Sequence, residues 1–89
     1  MFDWDEDNIA HIAEHGVTPE EAEEALNIAP VDVTRQYYED EDRFLQIGVT
    51  SSSRVLVVVT TWRGDQIRVI TARSASPALR EFYWQERGG

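Results

Sequence analysis

Residues 54–62 read Arg-Val-Leu-Val-Val-Val-Thr-Thr-Trp, and this stretch decides the fold. Its side chains are largely β-branched and are apolar on both faces, which is typical of a strand in the middle of a sheet. Turn-forming residues precede and follow it, at Ser51-Ser52-Ser53 and at Arg63-Gly64-Asp65. Short turns on both sides predict that the neighbouring strands run antiparallel to it.

Strand-like segments flank this central stretch. Residues 43–50 carry apolar side chains at Phe44, Leu45, Ile47 and Val49, and residues 66–73 alternate between polar and apolar. An earlier alternating segment begins at Val31 and is predicted to end near Gln36. We expect Tyr37 to Asp42 to form an acidic loop. The chain therefore predicts a four-stranded antiparallel meander.

Helix signals lie outside the strands at both ends of the chain. Residues 5–15 place apolar side chains at helical spacing and end at Gly16. Thr18-Pro19 starts a second helix, which we predict to reach about Ala29, and Ser76-Pro77 starts a third that ends before Gly88. The predicted inward residues are Ile9, Ile12 and Ala13 in the first helix, Ala22, Ala25, Leu26 and Ala29 in the second, and Leu79, Phe82 and Tyr83 in the third.

The predicted order is two helices, four strands and one helix, which indicates an α+β fold with helices packed on the sheet. At 89 residues the chain is expected to form a single domain over residues 1–89. It has no cysteine, which excludes disulfides, thiolate metal sites and thiol nucleophiles. We find no secretion signal or membrane-spanning run, and expect a cytoplasmic protein with no membrane partner.

Charge is divided unevenly along the chain. Residues 1–42 hold fourteen acids and one arginine, whereas residues 43–89 hold seven arginines and three acids, so the two parts carry −13 and +4. The net charge of −9 argues against broad nucleic-acid binding. Arginines gathered on one face would still form a local site for a phosphodiester or an acidic peptide.

A zinc-binding pattern lies in the first predicted helix. His11-Ile12-Ala13-Glu14-His15 matches H-x-x-E-H, and the spacing places both histidines on one helical face. The predicted helix ends directly afterwards and no third ligand stands at a suitable spacing. We therefore predict no metal site and no cofactor.

An ordered set of short segments spans almost the whole chain. The set consists of Phe2-Asp3-Trp4-Asp5, His15-Gly16-Val17, Glu21-Ala22, Arg43, Ile47-Gly48, Arg54, residues 56–59, Thr61, Arg63, residues 67–73, Arg80 and Tyr83. Together they resemble the BrnT family of type II toxin–antitoxin ribonucleases, which implies a RelE-like α+β fold. The chain departs from the family pattern at Glu14 and Leu79, and a lysine common nearer the N-terminus is either replaced by Asn8 or lost through a one-residue shortening.

The resemblance implies a metal-independent RNA endonuclease and a cognate partner. That partner would resemble the antitoxin BrnA, which binds DNA and covers the active face of the toxin, so this chain would meet DNA only through it. The alternative hypothesis is a non-catalytic protein-binding module of the same fold, in which the arginines hold an acidic partner. The charge division favours the alternative, and the retained arginines favour the nuclease.

Candidate site residues follow from the chemistry of RNA cleavage, which needs cations for the phosphate and groups that move protons. The preferred phosphate clamp is Arg63, Arg73 and Arg80, and the resemblance places His15 as the titratable group. Each arginine has an internal ion pair as its alternative role, and His15 has a helix-terminating role. Arg68 and Arg73 share a sheet face only if a bulge lies near Thr71-Ala72. Further binding candidates are Arg43, Thr61, Arg68, Tyr83 and Trp84.

Overall fold

The computed structural model describes residues 1–88, and Gly89 lies outside them. It confirms the predicted α+β order of two helices, four strands and one helix. None of the helices within residues 1–88 is long and apolar enough to cross a membrane. The elements are α1 (Glu6–Ala13), α2 (Pro19–Asn27), β1 (Val31–Tyr38), β2 (Glu41–Val49), β3 (Val55–Arg63), β4 (Gln66–Ser74) and α3 (Pro77–Glu86).

Side-chain caps start the first two helices. Asp5 accepts hydrogen bonds from the amides of Asp7 and Asn8 at the start of α1, and Thr18 does the same for Glu21 at the start of α2. These caps satisfy amides that have no partner inside a helix. Helix α1 is shorter than residues 5–15, because the chain turns after Ala13.

Only part of the predicted helix stripes is buried. Ile12 is buried in α1, whereas Ile9 and Ala13 are exposed, so the prediction for those two residues was wrong. Helix α2 buries Ala22 and Ala25 as predicted and ends before Ala29.

The four strands form one sheet in the order β1-β2-β3-β4, and all neighbouring pairs are antiparallel. Strand β3 lies inside the sheet and is the most buried strand, as its apolar sequence predicts. Strand β1 is an edge strand and is almost wholly exposed. The edge of β4 is partly covered by the N-terminus, where Phe2 forms a parallel bridge to Ile67.

The predicted acidic loop from Tyr37 to Asp42 was wrong. Tyr37 and Tyr38 belong to β1, Glu41 and Asp42 belong to β2, and only Glu39 and Asp40 form the turn. Both turn residues have positive φ angles, 51° and 65°, which are the angles that a tight two-residue hairpin turn requires. The acidic composition concealed a hairpin because neither residue is the usual Asn or Gly.

Two cores lie on opposite faces of the sheet. The face toward α1 and α2, here called the α1/α2 face, buries Leu56 and Val58 against Ile12, Ala22 and Ala25. The other face, here called the α3 face, is covered by α3 near Ile47, Val55 and Val57. Tyr83 of α3 is fully buried there as predicted, but Phe82 is 36% exposed, so its assignment to the inward stripe was wrong.

Arg54 joins the helical part of the chain to the sheet. Its Nη1 donates to the carbonyl oxygen of Gly16 at 2.8 Å and to both carboxylate oxygens of Glu21, while Nη2 donates to Ser74 Oγ at 2.9 Å. The pKa of Glu21 is lowered, chiefly by the hydrogen bond from the backbone amide of Thr18 and also by Arg54. This arginine is therefore used in folding rather than being free for a ligand.

Candidate active site

Three arginines from three adjacent strands line one cavity. Arg43 of β2, Arg63 of β3 and Arg68 of β4 border a cavity of about 220 Å³, which α1 lines where it packs against the edge strand β4. His11 of α1 lies on the helical side of the cavity. We call Arg43, Arg63, Arg68 and His11 the arginine site. The cavity is also lined by Asp7, Asn8, Glu41, Val69 and Ile70.

Strand register brings these arginines together. Arg68 pairs with Thr61 of β3. Thr61 shares the α3 face with Val57 and Arg63, because every second side chain of a strand points to the same side of the sheet. For the same reason, Arg43 of β2 lies on the same face as Leu45 and Ile47, which belong to the α3 core. Helix α3 covers the other end of this face, so the arginines border its open part.

Arg68 is the most firmly held of the three. Its side chain is 14% exposed, and its Nη1 lies 3.4 Å from Asp3 Oδ2 and 3.0 Å from Asp5 Oδ2. The pKa of Asp5 is lowered chiefly by the hydrogen bond from Arg68, and the same contact raises the pKa of Arg68. Because Asp5 also caps α1, Arg68 anchors the start of that helix to β4.

Arg43 is paired on one edge and open on the other. Its Nε donates to Glu41 Oε1 at 3.1 Å, and its Cζ lies 5.0 Å from the centre of the Tyr38 ring. Its terminal nitrogens make no hydrogen bond within residues 1–88. A guanidinium held in this way retains two donors that can meet a phosphate oxygen.

Arg63 is the exposed cation of the arginine site. It lies at the end of β3 and forms no ion pair or side-chain hydrogen bond in the described part of the chain. Its charge is therefore not offset by direct contact with a carboxylate. The cavity lining combines three arginines with Asp7 and Glu41, and Asp3 and Asp5 pair with Arg68, so four carboxylates lie close to the three guanidinium groups.

His11 supplies the titratable group beside the arginines. Its ring is edge-on to that of His15, with the ring centres 5.6 Å apart. His15 is exposed and does not line the cavity. The sequence prediction selected His15 and missed His11. The sequence feature that connects His11 with His15 is their spacing of four residues, which places both on one helical face.

A comparison with protein families decides the classification. Residues 4–78 match the family model described as ribonuclease toxin, BrnT, of type II toxin-antitoxin system. The chain belongs to the BrnT family. No curated protein matches this chain. Family membership implies a ribonuclease toxin with an antitoxin partner, and the matched range contains the whole arginine site.

Asn8 has a structural role at the start of α1. Asn8 is buried, and its Nδ2 donates to the carbonyl oxygens of Asp3 at 2.9 Å and Val69 at 3.1 Å. Its Oδ1 accepts from the amide of Asp5 and completes the cap of α1. In this BrnT chain Asn8 therefore holds α1 against β4, and its neutral side chain adds no charge to the arginine site.

Arg73 lies on the same sheet face as Arg68. A bulge at Ile70 shifts the register between Val59 and Thr60, so Arg68 pairs with Thr61 and Arg73 pairs with Val57. The bulge is next to Thr71-Ala72, near which the sequence prediction required it. Six residues of β3 separate Val57 from Arg63, which is roughly 20 Å along a strand. The strand register therefore does not bring Arg63 and Arg73 into one clamp.

The other predicted site residues do not line the cavity. Arg80 and Trp84 are exposed on α3, and Trp84 packs edge-on against Tyr83. Tyr83 has no exposed surface for a ligand, and its hydroxyl donates to the carbonyl oxygen of Ala29 at 2.7 Å. Thr61 is buried and donates to the carbonyl oxygen of Asp42 at 2.7 Å, which links β3 to β2.

Proposed function

We propose that this chain is a metal-independent endoribonuclease toxin of RelE-like fold that acts in the cytoplasm and is neutralised by a BrnA-like antitoxin. The observation that carries the proposal is the arginine site, where Arg43, Arg63 and Arg68 line one cavity with His11. Family membership supports ribonuclease activity. The geometry of the arginine site supports binding of the RNA backbone in this cavity.

In this proposal the RNA 2′-oxygen is the nucleophile. His11 in its neutral form takes the proton from the 2′-hydroxyl, and the 2′-oxygen attacks the adjacent phosphorus while the bond from phosphorus to the 5′-oxygen breaks. The departing 5′-oxygen takes a proton from water or from an imidazolium. The products are a 2′,3′-cyclic phosphate and a 5′-hydroxyl, so no metal-bound nucleophile is needed.

The arginines have different parts in this proposal. Arg63 binds a phosphate oxygen directly, because no carboxylate in residues 1–88 competes for it. Arg43 adds its two open terminal nitrogens from the neighbouring strand β2. Arg68 keeps its carboxylate partners and positions α1, and with it His11. Positive charge placed in advance stabilises the charge that develops on the phosphate.

A second candidate function is favoured by the ion pairs. Arg68 and Arg43 both contact carboxylates, and the cavity lining includes Asp7 and Glu41. Acids at these positions weaken the attraction for RNA. The chain would then be a protein-binding module that has lost nuclease activity.

Cleavage of a defined RNA by the purified chain separates the two functions. A labelled single-stranded RNA is incubated with the wild type and with Arg63→Ala, His11→Ala and Arg87→Ala, in buffer containing EDTA. We expect Arg63→Ala to slow cleavage by about 100-fold and His11→Ala by about 100-fold or more. Arg87, which follows α3 and is exposed, provides the matched control and should cleave at the wild-type rate.

The Glu41→Gln variant tests the part played by Arg43. Removing this carboxylate frees Arg43 Nε and lowers the negative charge of the cavity, so RNA affinity should rise. Intact RNA in every reaction, together with normal growth when the chain is expressed without a partner, would establish the binding module instead. Cleavage that requires added divalent metal would exclude the metal-independent mechanism.

A further inference from the structure

The α1/α2 face of the sheet is only partly covered. Beyond α2, a groove of about 210 Å³ runs between Phe2 and Leu26 on one side and the strands on the other. Phe44 of β2 and Trp62 of β3 form its floor, and Trp62 is 55% exposed. We call this surface the aromatic groove. It faces away from the sheet side that carries the arginine site.

Strand register places carboxylates on both sides of Phe44. Asp32 pairs with Gln46, whose side-chain amide donates to Asp32 Oδ1 at 2.8 Å. Asp42 precedes Phe44 by two residues in β2, so its side chain lies on the same face as Phe44. The hairpin turn residues and Asp65 stand at the Asp42 end of the sheet.

Few cations offset this acidic rim. Arg35 pairs with Phe44 and lies on this face, but its Nε is 3.9 Å from Asp42 Oδ1 and both side chains are well exposed. Such an exposed pair is weak and exchanges readily with other ions. Asp32 and Asp42 flank Phe44 on this face, and Glu39, Asp40 and Asp65 lie in the turns at the Asp42 end of the sheet, so carboxylates outnumber Arg35 at this side of the groove.

We propose that the aromatic groove binds a cationic amphipathic segment of the antitoxin. Aromatic side chains that are exposed at the centre of a groove are effective anchors for a protein partner. The surrounding carboxylates attract lysine or arginine in the partner and repel RNA, so the two sheet faces serve different ligands. This location differs from the expectation that the antitoxin covers the arginine face. The proposed binding takes its partner, the antitoxin, from family membership. It does not depend on whether the arginine site cleaves RNA.

Binding to the cognate antitoxin that family membership implies tests the groove. The full chain and its Trp62→Asp and Phe82→Asp variants are titrated with the purified antitoxin by calorimetry, and circular dichroism verifies that each is folded. We expect Trp62→Asp to raise Kd by about 30-fold or more, which is the effect of losing a central anchor. Phe82 is an exposed aromatic of α3, so Phe82→Asp should leave Kd unchanged.

Charge changes distinguish this groove from other surfaces. The double variant Asp32→Asn, Asp42→Asn should raise Kd by about tenfold at low salt, and the difference should shrink at high salt. Equal affinity of the wild type and Trp62→Asp, with loss of binding in Arg63→Asp, would overturn the proposal and place the antitoxin on the arginine site. A concentration-dependent dimer that Trp62→Asp abolishes would overturn it in favour of a second copy of the chain. Loss of RNA cleavage alone would refute the proposed nuclease and leave this groove intact.

Discussion

Gly48 lies where β2 approaches α2 most closely, and Gly48→Ala is predicted to be severely destabilising. A Cβ atom at this position would overlap the carbonyl oxygen of Ala25 and would lie 2.6 Å from its carbonyl carbon and 2.9 Å from its Cα. Ordinary van der Waals contact begins at 3.4 Å, so α2 would have to withdraw from the sheet. The overlapping atoms belong to a helix backbone and cannot rotate away.

The size of the effect follows from this geometry. Overpacking of a core costs about 1–3 kcal/mol when side chains can adjust, and a backbone overlap belongs at or above the upper end. A loss of about 3 kcal/mol is a large part of the 5–15 kcal/mol that stabilises a typical domain. The melting temperature should fall by roughly 12–24 °C for a chain of this length.

Urea unfolding followed by circular dichroism measures the change. Ala25→Gly in the same chain should not restore stability, because the atoms that overlap the new Cβ are backbone atoms. Gly64→Ala is the matched control, since nothing lies within 4 Å of an added Cβ there and only its φ of 64° opposes the change. We expect that control to cost about 1 kcal/mol. A Gly48→Ala protein as stable as the wild type, or one rescued by Ala25→Gly, would refute the predicted helix position.

Two other changes test the packing of the helices and the hairpin. Arg54→Ala should lower the free energy of unfolding at neutral pH by about 2 kcal/mol, because it removes charge-assisted hydrogen bonds to Glu21. The pKa of Glu21 lies below its ordinary value of 4.5, chiefly because the Thr18 amide donates to it and also because of Arg54. A carboxylate whose pKa is lowered in the folded state stabilises the protein fully above pH 4.5, and this stabilisation is lost as the pH falls through the folded-state pKa. The free energy of unfolding of Arg54→Ala should therefore decrease less steeply in acid than that of the wild type. Identical pH profiles of unfolding free energy would contradict this linkage. The double substitution Glu39→Asn, Asp40→Gly should raise the free energy of unfolding by about 1 kcal/mol, since both residues have positive φ angles that the replacements adopt more readily. Denaturant titration checks it, and an unchanged midpoint would count against the turn geometry.

The differences between sequence prediction and structure have separate physical causes. The hairpin at Glu39-Asp40 was missed because its residues are unusual for positive φ, and this concealed that Glu41 and Arg43 lie on one face. Phe82 was placed inside because helical spacing shows a stripe but not how much sheet lies beneath it. His11 does not stand out in the sequence, because the arginines beside it in the cavity come from strands more than thirty residues away.

Local signals in the sequence determined the elements and their order. Caps, prolines and alternating apolar residues act within a few positions, so they predict helices, strands and the α+β class without tertiary information. The tertiary structure alone decided which arginines share a cavity. A single bulged residue, Ile70, moves Arg73 onto the face of Arg68, while pairing distance along β3 keeps Arg73 away from Arg63. Register is set by the packing of the whole sheet, and one extra residue reverses the face of every later side chain in the strand.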